Sequence, residues 1–375
     1  MAELTSRERW LRAWRKEVPD RAPIHVRGVH VLSEDWRRSA HPSYAPLIAE
    51  VDQHCDKVLN WSPNLGFYLT RPELAPCRIE SRPAGEDRRD EVRTVTTPDG
   101  PLVSVTRHSM DGIPGMIMKH FISDEEDYER FLSIPYEQVP QDAEPFFVAD
   151  RRVGQKGIVL VTLSYNPLGM VFDLLGSETL AIWSLMHRDR IRVLLSELAR
   201  RHQDLAKTLL KAGVGPFFGT LGHEACLPPL QSPTDFDEFI VKVDKLSMDC
   251  IHDAGSMVHI HCHSRLKAVL DGFVELGTDI LHPFEAPPMG DITLKEAKER
   301  VRGRICIEGN LQIGDLMRCT PEEIRQMTRQ IVRDAGDGGG LVLCPTASPY
   351  EPVLSQRTLE NYLSFIRAGL EFGRY

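Results

Sequence analysis

The sequence predicts an α/β protein folded as one (β/α)8 TIM barrel, with N-terminal helices and a β-hairpin insertion. From about residue 155 onward, short β-branched runs alternate with amphipathic helical stretches, the pattern that parallel βαβ units produce. These runs are apolar nearly throughout, as is typical of strands buried on both faces. With 375 residues and 42% hydrophobic content, the chain is long enough for one barrel, which often exceeds about 250 residues.

The chain opens with a polar amphipathic pattern over residues 1–21, which predicts a helix. Apolar runs predict strands at 21–28, 157–164, 215–221, 256–262, 277–282, 303–309 and 340–345. That makes seven strands, and no run for an eighth stands out.

Turn and capping signals place the remaining elements. Over residues 90–110, two β-branched runs flank Pro98-Asp99-Gly100, which predicts a hairpin inserted on one face of the barrel. Capping boxes at "SDEE" from Ser123 and "TPEE" from Thr320 predict helix starts, the second with Pro321 in the first helical position. No tandem repeat or linker divides the chain, so we expect a single domain over residues 1–375.

Composition excludes several classes of function. A net charge of -9 disfavours nucleic acid or an anionic membrane as a partner, which leaves a small-molecule substrate. No apolar run approaches the roughly 18 residues needed to cross a bilayer, and no signal peptide is visible, so we expect a cytoplasmic protein. The eight cysteines are scattered without a CxxC pair, which argues against a disulfide framework or a zinc ribbon.

Polar side chains follow nearly every predicted strand, where barrel enzymes place their chemistry. They are His25, Arg27, His30, Tyr165, Asn166, His223, Glu224, His259, His261, His263, His282, Glu285, Glu308, Asn310, Gln312, Cys344, Thr346 and Ser348. So many potential ligands and proton carriers at one end of the barrel indicate an active site.

The stretch "GSMVHIHCHS" carries three of them in a period of two. In an extended strand His259, His261 and His263 share one face, while Ile260 and Cys262 face the covering helices. Residues two apart lie roughly 6.6 Å apart along a strand, a span that two imidazoles can close onto one divalent ion. His261 and His263 are the best pair. Metal ligation, metal-free catalysis and a structural role all remain open for these histidines.

A catalytic zinc-type site needs a third ligand, and Glu285, Glu224 and Cys344 compete for it. If Glu285 is not a ligand, it is a solvated carboxylate in a loop. If Cys344 is not a ligand, it is a small residue of the core.

The other candidates would bind substrate or move protons. Arg27 could clamp a substrate carboxylate or form an ion pair with an acid such as Asp56. His223 joins the catalytic candidates. The other candidate substrate-binding residues are His30, Tyr165, Asn166, Asn310 and Gln312.

At these residues the chain resembles the uroporphyrinogen decarboxylase superfamily, which includes cobalamin-dependent methyltransferases. The resemblance is carried by "NPLGMVFDLLGSETLAIWSLMHRDRI", "SPTDFDEFI", "HCHSRLKAVLDGFVELGTDIL", "IEGNLQ" and "GGGLVLCPTAS" followed by "LENY". It implies a distorted (β/α)8 barrel with the site at the carboxyl ends of the strands, and a homodimer.

The two branches of this superfamily imply different sites. The methyltransferase branch carries H-x-C-G and a later cysteine around zinc; His261 and His263 fall on the first two ligands, and the later cysteine falls near Thr346 or Ala347. Cys344 precedes the position of that later cysteine by two or three residues. The decarboxylase branch carries R-Q-A-G-R after its first strand; Arg27 matches the first arginine, nothing matches the second, and "PTASPYEP" lacks the expected histidine.

Three functions follow from these observations. The first is a metal-assisted methyltransferase that uses a divalent metal, zinc by preference, on His261, His263 and Glu285 or Glu224, with a separate corrinoid protein as methyl donor or acceptor. The second is a metal-free decarboxylase, in which Arg27 anchors a carboxylate and a histidine delivers a proton. The third is a ligand-binding barrel without catalysis.

Overall fold

A computed structural model describes residues 3–110 and 115–375. Within these ranges the strands are β1 (Lys57–Trp61), β2 (Cys77–Pro83), β3 (Arg88–Thr97), β4 (Gly100–Ser109), β5 (Met116–Lys119), β6 (Gly157–Tyr165), β7 (Phe217–Leu221), β8 (Met257–His261), β9 (Ile280–His282), β10 (Cys306–Glu308) and β11 (Leu341–Val342). The α-helices are α1 (Ser6–Trp14), α2 (Glu34–Ser39), α3 (Ala45–His54), α4 (Glu125–Leu132), α5 (Glu144–Val153), α6 (Pro167–Met186), α7 (Arg188–Lys211), α8 (Pro233–Phe236), α9 (Lys242–Asp253), α10 (Leu270–Glu275), α11 (Leu294–Val301), α12 (Ile313–Arg318), α13 (Pro321–Ala335) and α14 (Gln356–Phe372). Residues 1 and 2 of the predicted N-terminal helix lie outside the described ranges.

The fold is mixed α/β, built on a curled parallel sheet of seven strands in the order β1-β6-β7-β8-β9-β10-β11. The six strands predicted from residue 157 onward are confirmed, each within or close to its predicted run. β1 has no predicted counterpart because its sequence, KVLNW, mixes a lysine and an asparagine with its apolar residues and does not form an apolar run.

The predicted first strand, 21–28, is wrong as a strand and forms only isolated bridges, one at Arg21 and one at Ile24. The Arg21 bridge is antiparallel, to Arg374. The Ile24 bridge is parallel, to Leu343 next to β11, and the Ile24 carbonyl accepts from the amide of Asp56, next to β1. Pro23 has no amide to donate, and Gly28 turns the chain with φ +82°, so the extended pairing stays short. The segment still lies between the first and last strands of the sheet.

The predicted hairpin is confirmed as β3 and β4, which pair antiparallel around the turn from Thr97 to Gly100. It belongs to a four-stranded antiparallel sheet in the order β2-β3-β4-β5. Val95 and Leu102 are fully buried in the main hydrophobic core, so one face of this sheet packs against the rest of the molecule.

Local capping sets the helix starts. The capping box at Thr320 is confirmed, with reciprocal bonds between Thr320 and Glu323 and with Pro321 in the first turn. At the other predicted box the N-cap is Asp124, one residue after Ser123, because its carboxylate accepts from the amide of Asp127.

Helix α1 closes the amino-terminal end of the strands. Trp10 and Trp14 are each 1% exposed and pack against the first inward-facing residues of the strands, among them Ile158, Phe217 and Met257. This inner cluster is separate from the main core between the sheet and its covering helices. The concave side of the sheet is therefore apolar at its base.

Helix α6 has the length and composition of a membrane span, with a mean hydropathy of 1.3, so the expectation that no such run exists needs correction. Its best window is 56% buried inside the protein. Asp173 and Glu178 interrupt the apolar sequence, and the main chain leaves helical geometry at Gly176, where φ is 74°. These features are those of a core helix.

Candidate active site

The inner side of strand β8 carries the histidines, as the alternation predicts. Met257 belongs to the inner cluster at the base of the sheet, whereas Val258 and Ile260 lie in the core beneath the helices. His259 and His261 share the face of Met257. The strand ends at His261, so His263 continues from it as part of the following loop.

A cavity of about 210 Å³ lies on this inner side. Trp10 and Trp14 line one part of it, and His25, His259 and Glu308 line another. Its remaining lining includes Arg27, Gly28, His30, Val58, Asn60, Ile158, Leu160 and Ser348. The cavity is thus apolar on the side of helix α1 and polar where imidazole, guanidinium and carboxylate groups meet.

Glu308 is the charged centre of the cavity wall, with only 1% of its surface exposed. One carboxylate oxygen lies 2.7 Å from His25 Nδ1, and the other lies 2.7 Å from His259 Nε2. Burial opposes ionisation of the Glu308 carboxyl, but the two histidine hydrogen bonds outweigh it and hold its pKa well below the usual value. Glu308 is therefore an anion flanked by two proton carriers.

Cys344 lies beside this group. Its Sγ is 3.8 Å from His25 Nδ1 and 3.7 Å from His282 Nε2. Burial raises the pKa of the thiol well above its ordinary value. Donor atoms of His25, Glu308 and Cys344 all lie within 4.8 Å of one another, which is a geometry that a metal ion can bridge.

A second histidine group extends toward the ends of the strands. His261 and His282 meet Nδ1 to Nδ1 at 2.9 Å with nearly parallel rings, and the edge of the His263 ring lies against His261 at a centroid distance of 4.7 Å. Burial lowers the pKa of His261 and of His282, so both imidazoles are neutral near pH 7. One ring must donate and the other accept in their shared hydrogen bond.

Glu285 completes this second group at its outer end. The carboxylate lies 3.4 Å from His263 Nδ1 and accepts from the amide of Ser264 at 3.1 Å. Burial opposes ionisation, but these two hydrogen bonds prevail and lower the pKa of Glu285. We call His261, His263 and Glu285 the rim group.

The residues that competed as third metal ligand lie in different places. Cys344 lies with His25 and Glu308, whereas His263 and Glu285 pair with each other at the rim. His261 directs its Nδ1 to His282. Among the described residues, His25, Glu308 and Cys344 form the cluster with three donors in mutual reach. Of the competing third ligands, Glu285 lies beside His263, whereas Cys344 lies with this three-donor cluster.

Arg27 and His30 line the cavity, as expected of substrate-binding residues. The alternative ion pair between Arg27 and Asp56 is wrong, because Asp56 accepts from Arg9 and Arg21, each at 2.7 Å. Within residues 3–110 and 115–375, no hydrogen bond or ion pair engages the Arg27 guanidinium. Its charge is available to a ligand.

Asn166 and His223 lie in the helical layer and not on the cavity wall. Asn166 caps helix α6 through the amide of Gly169 and donates to Asp244 at 2.7 Å. His223 is fully buried and lies 3.0 Å from the same carboxylate. Asn166 is hydrogen-bonded within this layer, whereas neither ring nitrogen of His223 has a hydrogen-bond partner among the described residues and only the ion-pair distance links Nε2 to Asp244.

Tyr165 and Glu224 lie toward solvent. Tyr165 is 41% exposed and lines a separate cavity of about 240 Å³, together with Tyr68 and Asp173. The Glu224 side chain is exposed. Neither residue belongs to the lining of the cavity around Glu308.

Asn310 and Gln312 follow strand β10 and bind the surrounding chain. Asn310 donates to the carbonyl of Phe284 at 2.7 Å, and Gln312 accepts from the Thr346 hydroxyl at 3.4 Å. Gln312 Nε2 is buried and has no hydrogen-bond partner among the described residues. That amide is the one polar group of this pair available to a ligand.

His25, His259, His282 and Glu308 lie at predicted strand ends but are not among the predicted site residues. The sequence did carry a signal for His259 and Glu308. Each lies two residues after an apolar residue of the base cluster, Met257 and Cys306 respectively, and therefore on the same inner face of its strand. Their contact across the sheet depends on register and could not be read locally.

The comparisons with known proteins agree with this fold. The uroporphyrinogen decarboxylase (URO-D) family profile matches residues 112–350, well over half of the chain. The chain belongs to the uroporphyrinogen decarboxylase family. No curated protein sequence matches it.

Two solved structures are similar to this URO-D family member to different degrees. A methyltransferase from Methanosarcina mazei superposes with a TM-score of 0.66 at 16% identity, and the match covers 99% of each chain. A putative vitamin-B12 independent methionine synthase from Listeria monocytogenes gives a TM-score of 0.41 at 14% identity, covering 62% of this chain and 71% of the other. At such identities the first likeness establishes the fold, and the second is too low to support an argument.

Proposed function

We propose that this protein is a methyl-transfer enzyme of the URO-D family that acts on a small molecule bound in the cavity beside Glu308. The observation that carries the proposal is the unpaired Arg27 guanidinium on the wall of a cavity that also presents His25, His259 and Glu308. An anchor for an anion and a group that can take up a proton therefore lie around one small volume.

The size of the cavity supports a small substrate. About 210 Å³ is below the roughly 300–1,000 Å³ of pockets for drug-sized ligands, which favours a molecule smaller than a tetrapyrrole. Among the residues that the structure describes, Arg27 is the one arginine that lines the cavity, which suits a molecule with one carboxylate better than a polyanion. These features support the methyltransferase branch over uroporphyrinogen decarboxylation.

The chemistry of methyl transfer to a thiol or alcohol needs a proton acceptor. A bond forms from sulfur or oxygen to the methyl carbon, the methyl–donor bond breaks with its electron pair leaving on the donor, and the S–H or O–H proton departs. His25 or His259 can accept that proton, and the Glu308 carboxylate stabilises the imidazolium that results. Arg27 orients the substrate by pairing with its carboxylate.

The proposal includes a divalent metal and a corrinoid protein as methyl donor or acceptor. A bound metal would act as a Lewis acid on the heteroatom of the substrate. The Methanosarcina mazei protein that shares this fold is a methyltransferase, which supports methyl transfer here. In this proposal the rim group stays a second candidate for contact with substrate or partner, while His223 and Glu224 have no part because of their positions.

We further propose that residues 1–375 form one domain in the cytoplasm, as a homodimer, with 90–110 as an insertion. The finer architecture proposed is a distorted (β/α)8 barrel that closes through the segment at Ile24. The bridge between Ile24 and Leu343, next to β11, and the hydrogen bond from the Asp56 amide, next to β1, to the Ile24 carbonyl support this closure.

The experiment uses free methylcobalamin as donor and a panel of small carboxylate-bearing thiols and alcohols as acceptors. Consumption of the donor is followed by absorbance, and the methylated product by mass spectrometry. Arg27→Gln removes the anchor, and Arg38→Gln is the control, because Arg38 is a surface residue 73% exposed. A charge-assisted hydrogen bond is worth about 1.5–3 kcal/mol, so kcat/KM should fall roughly 10- to 150-fold in Arg27→Gln only.

Two results would contradict the proposal. The first is donor consumption no faster than without enzyme across the whole panel. The second is equal activity of the two arginine variants. The same mixtures are monitored for CO2, because Arg27-dependent CO2 release without methyl transfer would favour the alternative function, a metal-free decarboxylase acting on a carboxylated substrate.

A further inference from the structure

We propose that His25, Glu308 and Cys344 bind a divalent metal ion, with zinc the best match, on the wall of the cavity. His25 lies in the segment before β1, Glu308 is the last residue of β10, and Cys344 is the second residue after β11. The role of the ion in catalysis rests on the proposed function, whereas its binding can be measured without any turnover.

The distances between the donor atoms suit one ion. Zinc binds sulfur at about 2.3 Å and nitrogen or oxygen at about 2.0–2.2 Å, so two ligands of one tetrahedral ion lie roughly 3.3–3.8 Å apart. His25 Nδ1 and Cys344 Sγ are 3.8 Å apart, which meets this condition as it stands. His25 Nδ1 and Glu308 Oε1 are 2.7 Å apart, a hydrogen-bond contact that must open by roughly half an ångström or more to admit the ion.

The donor set balances the charge of a dication. Glu308 and Cys344 are each 1% exposed, and a carboxylate with a thiolate carries two negative charges in this buried region. A divalent ion would neutralise both charges. Without the ion, the Glu308 carboxylate depends on its hydrogen bonds with His25 and His259. Imidazole, thiolate and carboxylate are all ligands that zinc accepts.

The surroundings hold each ligand in place. His259 Nε2 lies 2.7 Å from the free oxygen of Glu308 and orients the carboxylate, so His259 is a positioning residue. The peptide N–H of Arg27 donates to Cys344 Sγ, which stabilises a thiolate. Trp14 stacks on the His259 ring at a centroid distance of 6.2 Å and limits its movement.

The site would keep a position for a ligand. Three protein donors leave the fourth tetrahedral position open, as in catalytic zinc sites. His25 and Glu308 both line the cavity, so that position faces the volume that Arg27 also borders. A substrate anchored by Arg27 would lie next to the ion.

The test measures binding of metal alone to the full-length protein. Zinc content after purification is measured by elemental analysis, and the chelator-treated protein is titrated with Co2+, whose spectrum reports a thiolate ligand by a sulfur-to-metal charge-transfer band. The variants are Cys344→Ser, Glu308→Gln and His25→Gln. The matched control is the double variant His261→Gln with His263→Gln, which removes the rim donors and leaves the inner three. Circular dichroism confirms that each variant is folded.

We expect about one equivalent of zinc and a charge-transfer band in the wild type. The band should vanish in Cys344→Ser, and affinity should fall at least tenfold in Glu308→Gln and His25→Gln, while the rim double variant retains both metal and band. If a variant does not fold, the two remaining inner variants decide. The inference is overturned if the folded wild type binds neither ion, or if the rim variant loses the metal while the inner variants keep it. Methyl transfer that persists in metal-free protein would remove the metal from the proposed function and leave methyl transfer itself standing, while metal binding at the three residues is decided by the titration alone.

Discussion

The base of the sheet depends on helix α1, and Trp14 is the residue that best tests this dependence. Trp14 is 1% exposed and meets Phe217 edge to face at a centroid distance of 5.1 Å. It also stacks on His259, which orients Glu308. The informative substitution is Trp14→Ala, compared with Trp14→Phe, which keeps an aromatic ring in contact with Phe217.

The expected loss of stability follows from burial. A tryptophan side chain buries about 150–250 Å², which at about 25 cal/mol per Å² is worth roughly 4–6 kcal/mol as an upper value. Substitution of buried aromatic residues by alanine costs about 3–5 kcal/mol, and we expect the free energy of unfolding of Trp14→Ala to fall by that amount. Trp14 Nε1 is buried without a hydrogen-bond partner among the described residues, so Trp14→Phe also removes an unsatisfied donor and should cost only about 1 kcal/mol.

Urea denaturation followed by circular dichroism measures these losses. Arg15→Ala is the matched control, because Arg15 follows Trp14 directly and is exposed, and its substitution should change stability by less than about 0.5 kcal/mol. A loss below about 1 kcal/mol in Trp14→Ala would contradict this expectation, and so would equal losses in the alanine and phenylalanine variants. Either outcome would mean that α1 does not hold the base of the sheet through this ring.

Two further predictions concern pH and backbone conformation. Burial lowers the pKa of His202, which contacts Ser247, to about 4, so the unfolded chain protonates first as pH falls below about 6.5. The resulting loss of stability reaches about 3 kcal/mol near pH 4, and His202→Asn should flatten the pH dependence of urea denaturation by that amount; an unchanged slope would contradict it. Gly309 has φ +79°, and an added Cβ would lie 2.9 Å from His282 Cδ2. Gly309→Ala should therefore lower the melting temperature more than Gly303→Ala, where φ is +71° and nothing lies within 4 Å, and equal shifts would rule out the contact.

Much of the fold could be predicted because it rests on local patterns. The six strands after residue 157, the hairpin and the helix start at Thr320 follow from apolar runs, turn residues and capping residues that lie next to one another in the chain. β1 could not be predicted, because its identity as a strand depends on its pairing with β6 and not on its own composition. The same reason explains the overestimate at 21–28, where the main chain pairs through isolated bridges at Arg21 and Ile24 and not through a continuous ladder.

The candidate site divides in the same way. The alternation of β8 predicts that His259 and His261 share the inner face, and the structure agrees. The alternation does not predict that His261 contacts His282. Nor does it predict that Asp56 pairs with Arg9 and Arg21 and so leaves Arg27 without an ion pair. Both outcomes depend on neighbours distant in sequence.

Local patterns in the chain were enough to establish the α/β class, the order of most elements and which side chains of a strand face inward, since backbone geometry makes these properties local. The meeting of those inward side chains is a property of the folded molecule. His25 and Glu308 are separated by 283 positions and lie 2.7 Å apart, whereas the rim histidines, two positions apart, share no third donor within reach among the residues that the structure describes. Contact between strands depends on their stagger and curvature around the whole sheet, and no single segment encodes these.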